Sequence, residues 1–199
     1  MTRRQRLSAD ERRAQIIDAS IEEFAATGWG ATTTAAISSR SQVNEALLFR
    51  YVGPKQALYI AAIDAAWDRI IAAAEHDVPQ APGAEEWRLP GRAFLHVLRT
   101  DPAAAQLWAR ALSESTGIEA IDQHLARRMQ EVHDWVSGKL EASGAAGGLR
   151  PNAVPQIEAW IILALGWLGI VVSRIDARAV QQFEDVLRTH RAWVTGAVD

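Results

Sequence analysis

There is no cysteine in the chain, which excludes disulfides, zinc-thiolate centres and thiol nucleophiles and leaves the sequence silent on redox compartment. A strong positive field is lacking too. The formal net charge of −3 and a pI near 6.0 argue against a protein that coats nucleic acid indiscriminately. No apolar run is long enough to cross a bilayer: the nearest, residues 159–172, falls short of the roughly 20 residues a spanning helix needs. Glu158 and Arg174 close it at both ends, so a buried core or interface helix is expected there. Basic residues open the chain, but residues 8–13 are polar where a secretory leader needs an apolar stretch. A cytoplasmic location without a membrane segment is expected.

Catalytic signatures are missing as well. The chain has no Gly-x-Ser-x-Gly, no His-Glu-x-x-His and no phosphate-cradling glycine loop after a strand. Gly28-Trp29-Gly30 and Gly147-Gly148 lack the strand-to-helix setting of a nucleotide site. Asp122 and His124, like Glu131 and His133, lie two positions apart, and residues so spaced on a helix do not face each other. No metal site, no cofactor and no enzymatic activity are expected.

What the chain does have is apolar residues, 49% of 199, enough for a sizeable core. They recur at three and four along almost every segment, and two-residue alternation is nearly absent, so the expectation is an all-α protein of about nine helices. Ser8 followed by Glu11 reads as a capping box, in which each side chain satisfies a backbone donor of the other. The helix it opens buries Ile17, Ile21 and Phe24 and stops at Gly28, taken as a left-handed C′ residue. Thr33 caps a short helix that buries Ile37, and Ser41-Gln42-Val43 makes a bend. Asn44 caps a second short helix through Tyr51, and Gly53-Pro54 breaks the chain before an alanine-rich helix over 55–75. Pro79, Pro82 and Gly83 mark a loop. Further helices are predicted over 85–100, 102–114 and 118–142, then, after the Gly144–Gly148 connection, over 155–175 and 177–195.

Short paired helices behind a longer one, held by Phe24, Ile37, Val43 and Leu48, are a helix-turn-helix pattern. Lys and Arg outnumber Asp and Glu in the first sixty residues although the whole chain is acidic, which suits a protein that touches phosphate with one end. Over residues 12–58 the chain resembles the DNA-binding domain of the tetracycline-repressor (TetR) family: Ile16-Ile17, Ala19, Phe24, Gly28-Trp29, Thr32-Thr33, Ile37, Val43, Leu48-Phe49, Tyr51, Lys55 and Leu58 fall in its order and spacing. The resemblance implies a DNA-binding domain over 1–54 and a helical ligand-binding and dimerisation domain over 55–199. It also implies a recognition helix over 44–51 that enters the major groove. The DNA-contacting set is then Thr33, Asn44, Glu45, Ala46, Leu47, Phe49, Arg50, Tyr51 and Lys55.

An ammonium beside a helix N-terminus, as at Lys55, combines two phosphate-binding features. The family's pattern is broken at Gln42, where glycine is usual and a left-handed turn costs a side-chain-bearing residue roughly 1–2 kcal/mol. It is also broken at Ala46-Leu47, at Val52 and at Phe49, where the usual tyrosine hydroxyl is missing. Glu45 has two readings, acceptor for a cytosine amine or stabiliser of its own helix start. Arg3, Arg4 and Arg6 read either as an arm along DNA or as a solvated tail.

A helix-turn-helix reads a palindromic operator as a dimer. The self-complementary surface is expected on the last helix pair, from Trp160, Leu163, Trp167, Val171, Phe183, Val186 and Trp193, with Gly166 and Gly169 allowing close approach. The alternative is that these residues are intramolecular core. Tryptophan is abundant, eight in the chain. Trp67, Ile71, Trp87, Phe94, Leu98, Trp108 and Trp135 are candidate walls of a pocket for an apolar or planar effector, in the middle helices where the resemblance puts it. The expectation is therefore a homodimeric transcriptional regulator, a repressor by the habit of the resembled family, released from double-stranded DNA by a small apolar ligand. The competing expectation is a helical protein-interaction module of the same fold whose DNA contacts have weakened.

Overall fold

The computed structural model describes residues 7–77, 83–114, 116–172 and 177–197, without the side chains of 76, 77, 177 and 180. The Arg3/Arg4/Arg6 arm, the Pro79 and Pro82 loop positions and the Arg174-Ile175 helix end lie outside the described residues. Among these residues there is no strand, and there are nine α-helices: α1 (Ala9–Ala31), α2 (Thr34–Ser41), α3 (Glu45–Tyr51), α4 (Lys55–Ala72), α5 (Leu89–Thr100), α6 (Pro102–Ser113), α7 (Glu119–Ala145), α8 (Pro155–Val172) and α9 (Ala177–Thr195). A π-helical turn, Ala73–Asp77, extends α4, and a 3-10 turn, Gly83–Arg88, leads into α5.

The helix starts are set by local side chains. Ser8 accepts from the Glu11 amide at 3.1 Å while the Glu11 carboxylate accepts from the Ser8 amide at 2.7 Å, the expected capping box. Thr33 accepts from the Ala36 amide, Asn44 from the Leu47 amide and Asp101 from the Ala104 amide, each satisfying an otherwise orphan donor. Gln42 does sit in the left-handed region, φ 55° and ψ 31°, as the C-cap of α2.

Gly28 behaves differently from the sequence expectation. Its φ of 77° is positive but its ψ of 177° is extended, so it kinks α1 and the helix resumes for a further turn to Ala31. The Thr32 hydroxyl and amide both donate to the Gly28 carbonyl, at 2.7 and 3.2 Å, which anchors the kink and ends the helix one turn late.

The chain divides into two compact units, residues 1–69 with 100–125, and residues 70–99 with 126–199. In the first, α1 packs on α2, α3 and α6, around Ile16, Ile21, Phe24, Ile37, Leu48, Leu58, Tyr59 and Leu107, all buried. Arg69 on α4 bonds both Asp18 on α1 and Asp101 at the head of α6, and His124 pairs with Asp64 at 2.9 Å.

In the second unit α8 packs on α9, and a core of Trp87, Val136, Leu140, Ala159 and Val194 takes Trp135, Leu149, Ile162 and Leu163 against it. Glu158, 1% exposed, receives Arg150 Nη2 at 3.3 Å and faces His190 Nε2 at 3.4 Å, and the Arg150 guanidinium lies 3.6 Å from the Trp193 ring centre. A buried carboxylate persists only when paired in this way.

Tyr59 buries a hydroxyl that finds no hydrogen-bond partner among the described residues. Its ring is packed edge-on to Phe24 at 4.7 Å. Burial, reinforced by the Glu114 carboxylate, pushes its pKa from 10.0 up to about 12. A raised folded-state value means that this contribution to stability is intact below pH ~10 and is lost as pH rises toward ~12. Tyr59→Phe is expected to be neutral or stabilising by up to ~1 kcal/mol, since it removes an unpaired buried polar group. It is also expected to flatten the alkaline limb of stability against pH. Urea titrations of both proteins at pH 8 and 11 check this, and an unchanged alkaline slope in the variant counts against it.

Candidate nucleic-acid interface

The helix-turn-helix is α2 and α3, joined by the left-handed Gln42 and held on α1 by Ile37, Val43 and Leu48, each less than a tenth exposed. Leu48 is the only buried residue of α3. Its burial turns Glu45, Ala46, Phe49 and Arg50 outward, all exposed, with Leu47 and Tyr51 half-buried at the edges. Phe49 is 48% exposed, and the Arg50 guanidinium lies 5.8 Å from the Tyr51 ring centre. Thr33 and Asn44 are exposed too, but the side-chain oxygen of each is already engaged as a helix cap.

Glu45 accepts a hydrogen bond from the Thr34 hydroxyl at 2.8 Å. It therefore ties the first residue of α3 to the first residue of α2, a partner the sequence reasoning did not name. Arg40 is also engaged, at 2.6 Å from both Glu22 and Glu23. The bonds to Glu23 and then Glu22 hold its pKa above its ordinary range. Arg50, by contrast, is exposed on the outward face of α3.

Lys55, the first residue of α4, is half-buried, with Nζ 4.6 Å from the centre of the Trp29 ring. Burial holds its pKa below the ordinary lysine value. The ring beneath it is fixed from two sides. Trp29 packs on Tyr59 at 5.2 Å and on Phe24 at 6.3 Å, and its backbone amide donates to Glu114 Oε2 at 3.0 Å. Glu114, just past the end of α6, also pairs with Arg110 at 2.9 Å. A Cβ added to Gly28 would lie 2.5 Å from Glu114 Oε1 and 2.7 Å from Arg110 Nη1, so this approach requires glycine. Sequence reasoning saw Gly28 and Trp29 but had no local signal for a partner 85 residues away.

The candidate effector-pocket residues fall in both units. Trp67 and Trp108, 7% and 6% exposed, stack on each other at 5.7 Å in the first. Trp87 and Trp135 belong to the core of the second, while Ile71, Phe94 and Leu98 are half-buried. A cavity of about 320 Å3 opens between the end of α7 and the start of α8, lined by Glu141, Gly144, Leu149, Arg150, Pro151 and Pro155 among others. None of the seven candidates is in its wall. No cluster of three or more potential metal ligands occurs among the described residues.

On α8 and α9, five of the seven candidate interface residues are exposed: Trp160 47%, Trp167 43%, Val171 39%, Val186 46% and Trp193 43%. Leu163 and Phe183 are half-buried. Ile157 and Leu168 are exposed as well, an extension that periodicity alone did not reveal. Gly169 admits the Phe183 ring, which a Cβ there would meet at 3.0 Å, so its close approach is between α8 and α9 of one chain. The apolar helix expected to be buried core or interface is, in the single chain, mostly uncovered: Glu158, Ala159 and Ile170 are its buried residues.

Residues 16–62 match the family model for bacterial regulatory proteins of the tetR family. No curated protein sequence matches the chain. Among solved structures, the fold is similar to that of TylP, a TetR regulator from Streptomyces fradiae, with a TM-score of 0.72 at 18% identity over 95% of this chain and 89% of that one. It is similar also to the transcriptional regulator FadR from Bacillus subtilis, solved with stearoyl-CoA, with a TM-score of 0.72 at 16% identity over 91% and 98%. A TetR-like regulator from a Rhodococcus species gives 0.68 at 19% identity over 94% and 96%. Residues 16–62 accordingly resemble the N-terminal domain of tetR-family regulators, and the chain as a whole shares the fold of these solved structures.

Proposed function

We propose that the protein is a sequence-specific, DNA-binding transcriptional regulator, a repressor that a small apolar effector releases from its operator. The observation that carries this reading is the outward face of α3, held rigidly by Leu48 and the Asn44 cap, inside the segment that matches the tetR-family model. In this reading residues 1–54 bind DNA and residues 55–199 bind effector and dimerise, and the protein works in the cytoplasm as a homodimer without cofactor or catalysis.

Arg50 supplies the hydrogen-bonding donor for a base edge, and Lys55, seated on Trp29 at the start of α4, supplies a phosphate contact. Thr33, Asn44, Glu45, Ala46, Leu47, Phe49 and Tyr51 complete the surface. Two recognition helices in a dimer read half-sites one helical turn apart, about 34–36 Å, or a multiple of it. An effector bound within residues 55–199 changes that spacing, provided its affinity differs between the two states. The stearoyl-CoA held by the FadR structure supports an apolar, acyl-like effector.

Selection of duplexes from a random pool by the full-length protein near physiological salt is expected to enrich a palindrome. Arg50→Ala is expected to cost ~1–3 kcal/mol per half-site and to relax one base position. Lys55→Ala is expected to weaken all sequences alike and to reduce the salt slope by about 1 per subunit. A well-folded protein that enriches nothing, or whose binding ignores salt, supports the protein-interaction module instead.

A further inference from the structure

We propose that the recognition helix reads its half-site mainly through the 5-methyl groups of thymine, contacted by Phe49 and Ala46, with Arg50 as the single hydrogen-bonding reader on that face. The inference rests on the DNA-binding reading above and specifies what that surface selects.

Helix geometry sets the face. At about 100° per residue, the buried Leu48 places Ala46 and Arg50 on the opposite side of α3, with Phe49 beside Ala46 and Glu45 beyond it. The centre of the outward arc is therefore carbon, an alanine methyl and a phenyl ring three residues apart. Hydrogen-bonding groups border it. On one side Glu45 has a carboxylate oxygen occupied by the Thr34 hydroxyl, and on the other is Arg50.

Phe49 is 48% exposed. A phenyl group neither donates nor accepts a hydrogen bond to phosphate, so its chemistry fits an apolar partner. In the major groove that partner is the thymine methyl, which alanine and phenylalanine side chains contact.

The full-length protein would be titrated against its selected operator, with thymine replaced by uracil at one symmetric pair of positions at a time, so that only a methyl is lost per half-site. Each buried methyl is worth about a fourfold change, so at least one such pair should weaken binding about fifteenfold. In Phe49→Ala, a surface substitution that leaves the core intact, thymine and uracil duplexes should bind alike at that pair. Tight binding that tolerates uracil at every position, a half-site motif without thymine, or a Phe49→Ala protein as sensitive to uracil as the parent would each overturn the proposal while DNA binding stands. If no duplex is selected at all, the DNA-binding reading fails and this one with it.

Discussion

Gly28→Ala is expected to destabilise the unit formed by residues 1–69 and 100–125 by about 2.5–6 kcal/mol. Two costs combine. An L-residue at φ 77° and ψ 177°, a region populated essentially by glycine alone, is strained by ~1–3 kcal/mol, and the new methyl would lie 2.5 Å from Glu114 Oε1, so that the carboxylate must move. That carboxylate accepts the Trp29 amide and pairs with Arg110. Displacing it therefore removes a charge-assisted hydrogen bond, worth about 1.5–3 kcal/mol when lost from a partly buried site.

The two costs separate in a double-mutant cycle. In the background of Glu114→Ala the clash with the carboxylate disappears, while the backbone strain and the 2.7 Å approach to Arg110 Nη1 remain, so Gly28→Ala should then cost less than it does in the parent. Urea-induced unfolding of the four proteins measures this, and equal costs in both backgrounds would show that Glu114 does not fill the space above Gly28. Since Trp29 is the platform under Lys55, the single variant is also expected to lose salt-dependent DNA affinity.

Trp167→Glu is expected to convert a homodimer into a monomer. Trp167 is 43% exposed on a helix whose positions Trp160, Leu168 and Val171 are also exposed, as are Val186 and Trp193 on α9. So many exposed apolar side chains on one helix pair are uncommon on a monomer, which is why the proposed dimer interface is put there. In a two-fold interface every residue acts twice. A central tryptophan truncated at an interface costs about 2–4 kcal/mol, so the pair is worth about 4–8 kcal/mol, or three or more orders of magnitude in Kd. Sedimentation equilibrium at micromolar concentration decides: a dimeric Trp167→Glu protein, or a monomeric parent, would sink the interface. The far-ultraviolet circular dichroism of the variant, compared with that of the parent, checks that it remains folded.

The two kinds of outcome expected here trace to different layers of information. The helix starts were legible because caps are local: Ser8 with Glu11, Thr33 and Asn44 each bond a donor two or three residues away, and such pairs leave a mark in any short window of sequence. The left-handed Gln42 was legible for the same reason, as the residue between two capped helices. The outward face of α3 follows from one buried leucine and the helical repeat.

What sequence could not supply was partnership across distance. Whether Glu45 faces DNA or Thr34, whether Arg40 is free or held by Glu22 and Glu23, and what Gly28 makes room for all depend on residues 11 to 85 positions away. The abundance of tryptophan likewise did not say which rings would be buried and stacked on each other, as Trp67 and Trp108 are, and which would stay partly exposed, as Trp160, Trp167 and Trp193 do. Apolar character alone determined that these residues would seek contact, because removal from water is non-directional. The packing of α8 on α9 decided which of them found it within the chain and which still face outward.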